Sequence, residues 1–411
     1  VGDKPSIGPR IATLEAQQRI VSGIARDGAR YRGASEACFD SPQAPRLDLT
    51  MRIAIDANVL EGKWGGIPKY LDRIARELLA MGDEIDLLAN TSRPVRTVPG
   101  AHQVRTRVKG TIVWRNAFLP AWLAHARADV LWAPESLLPW WSPVPTVATI
   151  HDLAMLRFPG TKTAEHEQRF RTTVQHSARR ATRLIAVSDA TVQDIRELWG
   201  MDTGRVRVVP NGVDDAFKPG DRDAARSAVR ARWKIDTPFI LHVGSLEPRK
   251  GLDVLIDAAE LAAGRGASWR VVLVGAAGFR GDEIAARARA SGACSLLGPV
   301  EDAELLALFR AADAFAAPAL YEGFGIAPLE AMACATPVVI AGDSGGLEET
   351  SAAAAIVVRE RTAAAWSDAL GRAIAHPEAL IERGLSHAAR FRWPAVARQT
   401  RTVLAEAADE R

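Results

Sequence analysis

Cysteine is scarce. Cys38, Cys294 and Cys334 are the only three in 411 residues, too few and too scattered for a disulfide framework or a zinc site, so buried thiols in a reducing compartment are expected. Long apolar runs are missing as well. No stretch approaches the roughly 20 residues that span a bilayer, and the N-terminus lacks the apolar segment of a signal peptide, so the sequence reads as cytoplasmic. The formal net charge is only +3, which gives no reason to expect a nucleic-acid partner, although a local basic patch is compatible with it. What is present is an ordinary globular composition, 48% hydrophobic and 25% charged. The length is too great for one core and suits two domains.

Residues 1–50 mix Arg, Asp, Gly, Ser and Pro without strand periodicity. Met51 then opens the first clear strand, Arg52-Ile-Ala-Ile-Asp-Ala-Asn58. Met51 is the expected natural start, chain-initial Val1 fits an upstream non-ATG start, and residues 1–50 are expected to be a poorly ordered extension. From Met51 short β-branched runs alternate with longer amphipathic segments: strands at 52–57, 84–89, 129–133, 146–150, 183–188 and 205–210, helices at 67–81, 164–180 and 189–199. That alternation predicts a mostly parallel sheet. The turn-rich stretch Asn211-Gly-Val-Asp-Asp-Ala-Phe-Lys-Pro-Gly220 reads as a hinge. The rhythm then repeats, with strands near 238–243, 269–274, 313–316 and 336–340 and helices at 252–263 and 282–290. The fold class is therefore α/β, two Rossmann-like doubly wound domains over 51–215 and 216–390, with a closing segment at 391–411. Such sheets bind ligands beyond the carboxyl ends of their strands, which places the site in the cleft where the two domains face each other.

The most informative segment is Tyr321-Glu-Gly-Phe-Gly-Ile-Ala-Pro-Leu-Glu-Ala-Met-Ala333. Glu322 and Glu330 flank a glycine-rich turn that leads into a helix, and Pro328 suits a first helical turn. Backbone N–H groups around Phe324, Gly325 and Ile326 would have no intrahelical partner, so they offer a site for anionic or sugar oxygens. Glu330 falls one turn inside that helix. Leu241-His-Val-Gly-Ser-Leu-Glu-Pro-Arg-Lys-Gly-Leu-Asp253 sets the basic pair Arg249 and Lys250 shortly after a strand. His151, in Thr149-Ile-His-Asp-Leu153, and the glycines of Trp64-Gly-Gly-Ile-Pro-Lys-Tyr70 also sit at strand ends or helix starts.

Taken in order, these segments resemble the large retaining glycosyltransferase family 4, whose members adopt the two-domain GT-B fold. The resemblance spans about 52–405, through the Phe391-Arg-Trp-Pro-Ala-Val-Ala397 closing segment. It implies that Gly244, Arg249 and Lys250 belong to a phosphate-binding turn, where fixed cations and helix-end amides stabilise the charge developing on a departing nucleoside diphosphate without a metal. It further implies that Glu330 binds the ribose hydroxyls, that Phe324, Gly325 and Ile326 contact the donor, and that Glu322 and His151 orient the donor sugar. Gly65 and Gly66 are implied to lie against the diphosphate and acceptor; relatives often carry glycine where Pro68 stands, which puts one phosphate contact in doubt. Ser188-Asp189 and Asn211-Gly212-Val213 are similar to family segments facing the cleft. The implied route is front-face substitution with retention, the leaving phosphate accepting the acceptor's proton. No cofactor is expected, the nucleotide sugar being a substrate. Asp221-Arg222-Asp223 reads as solvated charge in the hinge, and no metal site is expected.

No acidic residue occurs from Leu87 to Ala128, whereas Arg93, Arg96, Arg105, Arg107, Lys109, Arg115 and Arg127 accumulate beside Trp114, Phe118 and Trp122. The aromatic spacing is helical. One face of this segment is expected either to rest on an anionic membrane or to pack in the core beneath a solvated basic loop. The first reading makes the protein peripheral on the inner face of the plasma membrane, with a saccharide or polyprenyl-linked acceptor. The opening Ile-Asp-Ala-Asn-Val-Leu and the Gly-Gly-Ile-Pro-Lys-Tyr loop look like a subgroup rich in polysaccharide mannosyltransferases, so GDP-mannose is the expected donor, with UDP- or dTDP-linked sugars as alternatives. A dinucleotide-dependent oxidoreductase is disfavoured because Val274-Gly-Ala-Ala-Gly-Phe-Arg-Gly281 has the wrong glycine spacing. A non-hydrolysing epimerase of the same fold and a silent sugar-nucleotide-binding protein remain the competing readings.

Overall fold

The computed structural model describes residues 50–61, 65–93 and 95–410, which belong to one compact unit. The expectation for residues 1–50 falls, apart from Thr50, outside the described residues, as does Trp64.

Among the described residues thirteen strands build two parallel sheets. The first has the order β3-β2-β1-β4-β5-β6-β7, with β1 Arg52–Asp56, β2 Glu84–Asn90, β3 His102–Thr106, β4 Val130–Ala133, β5 Thr146–Ile150, β6 Arg183–Ala186 and β7 Val206–Val208. The second has the order β10-β9-β8-β11-β12-β13, with β8 Phe239–Val243, β9 Arg270–Val274, β10 Cys294–Gly298, β11 Ala314–Ala317, β12 Val338–Ala341 and β13 Ile356–Val358. In each, strand order reverses once, between β1 and β4 and between β8 and β11. These are the switch points where an open α/β sheet leaves a crevice at its carboxyl edge.

The central strands β4, β8, β11 and β12 are nearly all-apolar because helices cover both faces. Ile53 and Ile55 face one side, packed with Tyr70, Leu71, Ile74, Ala75 and Leu78 of the helix Gly66–Ala80. That helical spacing of 3 and 4 puts one continuous stripe against the sheet. Each such leucine or isoleucine contributes up to about 1.5–3 kcal/mol of burial. The helix stops where Gly82, at φ +93°, turns the chain and donates to Leu79 O at 3.0 Å. The last helix, Trp393–Ala408, packs against Gly66–Ala80. It is tied there by buried Arg401, which holds Asp83 through two bonds of 2.7 and 2.9 Å while Asp83 also accepts from Met51 N at 3.0 Å.

Two features differ from the sequence reading. The stretch taken as a hinge with solvated charge continues into a helix, Arg222–Trp233, and Asp221 is its N-cap, accepting from Ala224 N at 2.9 Å. The edge strands β3, β10 and β13 were not anticipated. They are half covered or very short, so periodicity marks them weakly; β3 reads His-Gln-Val-Arg-Thr, with two of its residues exposed, and β13 is only three residues long. Among the described residues no helix is long and apolar enough to cross a membrane.

Candidate active site

The two switch points open onto a single cleft of 740 Å³, within the about 300–1,000 Å³ usual for a small-molecule site. The first sheet's side supplies Gly65, Gly66, Lys69, His151 and Asp152, and the second supplies Gly244, Lys250, Glu322, Phe324, Gly325, Ile326 and Glu330. The sequence-derived candidates therefore converge on one volume. Arg249 stands behind it, against Glu322.

Glu322 is fixed by its backbone. Its N–H donates to Ser344 O at 3.1 Å and its carbonyl accepts from Gly346 N at 2.9 Å. Lys250 Nζ donates to one carboxylate oxygen, and Arg249 Nη1 reaches the other at 3.3 Å while donating to Tyr321 O at 2.7 Å. Burial alone would raise the Glu322 pKa, but Lys250 and then Arg249 outweigh it and hold the carboxyl below its ordinary value. The basic pair rides on a 3-10 turn, Pro248–Lys250, closed by Gly251 at φ +64°. A Cβ on Gly251 would stand 2.2 Å from Pro318 O, so only glycine lets this turn lie against the strand end that carries Glu322.

Glu330 is in a different state. It lies in the helix Ile326–Ala333, 9% exposed. Burial pushes its carboxyl up to about 7; Lys69 opposes the rise, and Asp214 and Asp302 add to it. Lys69 is itself paired with Asp302 at 2.9 Å. Phe324, Gly325 and Ile326 stand at the helix start, where the first amides lack intrahelical acceptors.

His151 follows β5 and is half-buried. Its Nε2 donates to Pro134 O at 2.8 Å, since a carbonyl can only accept, and burial lowers its pKa. The ring is therefore neutral near pH 7, edge-on to Tyr70 with centroids 5.0 Å apart. Gly65 is the residue before the helix Gly66–Ala80, and its carbonyl accepts from Lys69 N at 3.0 Å. Gly244 donates its N–H to Val274 O at 2.9 Å. Its amide is thus occupied, and what the residue offers a ligand is close approach.

His242 lines the cleft and was not picked out from the sequence. It is buried on β8. Its Nδ1 donates to Ala316 O at 2.9 Å, its Nε2 has no partner among the described residues, and burial drives its pKa down to about 4. It lay inside a quoted motif, but nothing local marks it. Ser188 Oγ donates to Gly323 O at 2.6 Å, so the Ser188-Asp189 segment bears on the glutamate loop itself. Glu349 accepts from Asp189 N and Ala190 N at 3.0 and 2.9 Å, neutralising the amino end of the helix Asp189–Trp199. Asn211 and Gly212 line the cleft, and Gly212 lies flat against Trp393.

Gly323 marks a close approach of the two sheets' loops, because a Cβ there would fall 1.9 Å from His151 O. Gly323→Ala is expected to hold these loops apart, lowering turnover at least about tenfold through misplacement of His151 relative to Glu322. Equal kcat/KM in wild type and variant would contradict this contact.

Two parallel sheets meeting at a shared cleft, with a cation–carboxylate cluster on one side, define the class: a glycosyltransferase of the GT-B fold. The chain belongs to the glycosyltransferase group described as "Glycosyl transferases group 1" over residues 226–386 and "Glycosyltransferase Family 4" over residues 64–217. It is 30% identical to a D-inositol 3-phosphate glycosyltransferase of Nocardia farcinica, covering 81% of this chain and 82% of the relative. A protein of the same description from Mycobacterium tuberculosis is 31% identical over 92% of this chain and 87% of the relative. Among solved structures, Anabaena Alr3699/HepE in complex with UDP-glucose superposes with a TM-score of 0.69 at 20% identity, covering 87% of this chain and all of that one. Likeness at that identity speaks for the fold.

Proposed function

We propose that this glycosyltransferase moves a hexose with retention, and without a metal, from a nucleoside-diphosphate sugar to a saccharide or lipid-linked saccharide acceptor in surface polysaccharide assembly. The observation that carries the reading is the Arg249, Lys250 and Glu322 cluster beside the amino end of the helix Ile326–Ala333. Bond breaking places negative charge on the departing β-phosphate. Two fixed cations and a helix end oriented before the reaction stabilise that charge without reorganisation. Both Glu322 oxygens are engaged by cations and its basicity is reduced, which suits orienting a sugar hydroxyl and disfavours attack on the anomeric carbon. His151 donates Nε2–H to Pro134 and keeps a neutral ring at the first sheet's edge, where it helps position the sugar. Gly65, Gly66 and Gly244 let the diphosphate lie close to backbone. Glu330 holds the ribose hydroxyls as a carboxylate. With no free carboxylate nucleophile in this reading, the acceptor attacks from the face the diphosphate leaves, and the leaving phosphate takes its proton.

GDP-mannose is the proposed donor, with UDP- or dTDP-hexose as the outcomes that would replace it. The relatives favour a second acceptor reading, D-inositol 3-phosphate. Against it, the cleft cations on the first sheet's side, Lys69 and Arg73, are already paired with Asp302 and Asp214, leaving no evident counter-charge for an acceptor phosphate. Incubation with each donor, each acceptor class and EDTA, followed by NMR of the product's anomeric proton, tests the proposal. The expected result is turnover unaffected by EDTA and an anomer matching the donor's. An inverted product, or activity that returns only with added metal, would overturn it.

A further inference from the structure

Five large apolar side chains stand exposed among the described residues, and four of them gather in two neighbouring segments: Ile112 and Val113, at 68% and 53%, and Trp140 and Trp141, each at 61%. One amide joins the two segments. Asn116 Oδ1 accepts from Trp140 N at 2.7 Å, and Asn116 Nδ2 donates to Ile112 O at 3.0 Å. The tryptophan loop is held from behind as well, Leu138 N donating to Ser177 Oγ at 3.0 Å. These bonds hold the backbone from which the four exposed side chains project.

The aromatic residues whose helical spacing suggested a membrane face are not the ones presented. Trp114 is fully buried and Phe118 and Trp122 pack against the same core. A π-helical turn, Trp114–Phe118, sits between the short helix Thr111–Val113 and the helix Leu119–Ala126. It seats Trp114 in the core while the residues just before it stay exposed, a local irregularity of the kind that often accompanies function.

Charge tells what covers this patch. Arg105, Arg107 and Lys109 are exposed immediately before it and form no ion pair among the described residues. No acid occurs from Leu87 to Ala128, and the tryptophan loop, residues 134–145, carries one carboxylate, Glu135, which lies in the field of Arg115 and Asp56. A protein partner matched to this surface would need an apolar centre with an acidic rim. An anionic bilayer supplies both over any area, and tryptophan favours its interfacial layer. The patch also adjoins the site. Arg115, next to Asn116, reaches Asp56 at the carboxyl end of β1, 3.5 Å away, beside the switch point that opens on the cleft.

We propose that this face docks on an anionic lipid bilayer, with Trp140, Trp141, Ile112 and Val113 entering the interfacial layer and Arg105, Arg107 and Lys109 meeting lipid phosphates. It deepens the lipid-linked reading of the acceptor, and rests on that reading only for what the bilayer delivers. Docking itself is independent of turnover, so the two fail separately.

The test is co-sedimentation of the full chain with vesicles of phosphatidylcholine alone and of phosphatidylcholine mixed with phosphatidylglycerol. Wild type is expected to bind the anionic vesicles and to be released by high salt. Trp140→Ser with Trp141→Ser is expected to weaken binding at least about tenfold, and Arg107→Ser with Lys109→Ser by about fivefold per charge on anionic vesicles only. Unchanged circular dichroism and nucleotide binding establish that the variants fold. Because these four residues lie outside the cleft, turnover with a water-soluble acceptor should stay at the wild-type level. Wild type that ignores anionic vesicles, or a folded tryptophan variant that sediments as wild type does, overturns the proposal. So does vesicle-free self-association that the tryptophan variant abolishes, which would assign the face to a second copy of the chain.

Discussion

Glu330→Gln is expected to make the protein more stable and a poorer enzyme. The Glu330 carboxyl is raised from an ordinary 4.5 to about 7, chiefly by burial. Because the folded state holds this proton more tightly than the unfolded chain, stability is greatest below pH 4.5 as far as this group is concerned. It is lost as pH rises towards 7 and the carboxylate forms in a buried site. Above pH 7 the cost is complete, up to about 3 kcal/mol. A neutral glutamine of the same shape avoids it. At pH 8 the variant's Tm should therefore exceed the wild type's by a few degrees, and the difference should vanish near pH 4.5. Binding should move the other way. Ribose hydroxyls donate better to a carboxylate than to an amide, and a hydrogen bond to a charged group is worth about 1.5–3 kcal/mol, so nucleotide affinity should fall about 10- to 100-fold. Wild-type affinity should also decline as pH falls below 7, while the variant's stays flat over the same range. Thermal melts and nucleotide titrations from pH 5 to 8.5 check both halves. A variant less stable at pH 8, with affinity intact, would remove Glu330 from the site.

The second large effect is expected at Lys250. It pairs with Glu322 in the cleft and, in the proposed reaction, faces the departing diphosphate. Lys250→Ala removes a preorganised cation where charge develops, so turnover should drop about 100- to 1,000-fold. Arg249 remains 3.3 Å from Glu322, which keeps that carboxylate partly compensated and should let the variant fold. Lys250→Arg should recover only part of the activity, because a planar guanidinium cannot replace a point charge in a pocket shaped for an ammonium. If the variant turned over normally and only KM rose, Lys250 would bind donor and transition state alike, and the charge-stabilising role would be wrong.

The site was legible in the sequence where its chemistry is written within one segment. Glu322, Phe324 to Ile326 and Glu330 lie within nine consecutive positions on a turn and helix start, and Arg249 and Lys250 are adjacent. Local order therefore dictates their placement at two strand ends, and the topology brings those ends together. What was not legible depends on distant partners. The unpaired Nε2 of His242 is a consequence of Nδ1 meeting Ala316 O, 74 positions away, and Glu349 caps a helix 160 positions before it. The membrane reading shows the same limit. Residues 114, 118 and 122 have a helical period, and period alone does not say which side of a helix meets solvent; the structure turns Trp114 inward and leaves Ile112 and Val113 outside. The Arg222–Trp233 helix could have been read, since Asp221 followed by an alanine- and arginine-rich run is an N-cap signal. The preceding Pro219-Gly220 obscured it.

The central claim is that this cleft holds a nucleoside diphosphate through the cluster of Arg249, Lys250 and Glu322 and the Glu330 helix, without a metal. Calorimetric titration of wild type and Lys250→Ala with GDP, UDP, dTDP and ADP in EDTA tests it most directly. The account predicts one-to-one binding of one base class to the wild type, with affinity at least about tenfold weaker in the variant. Binding of none of the four, or equal affinity in both proteins, would contradict it.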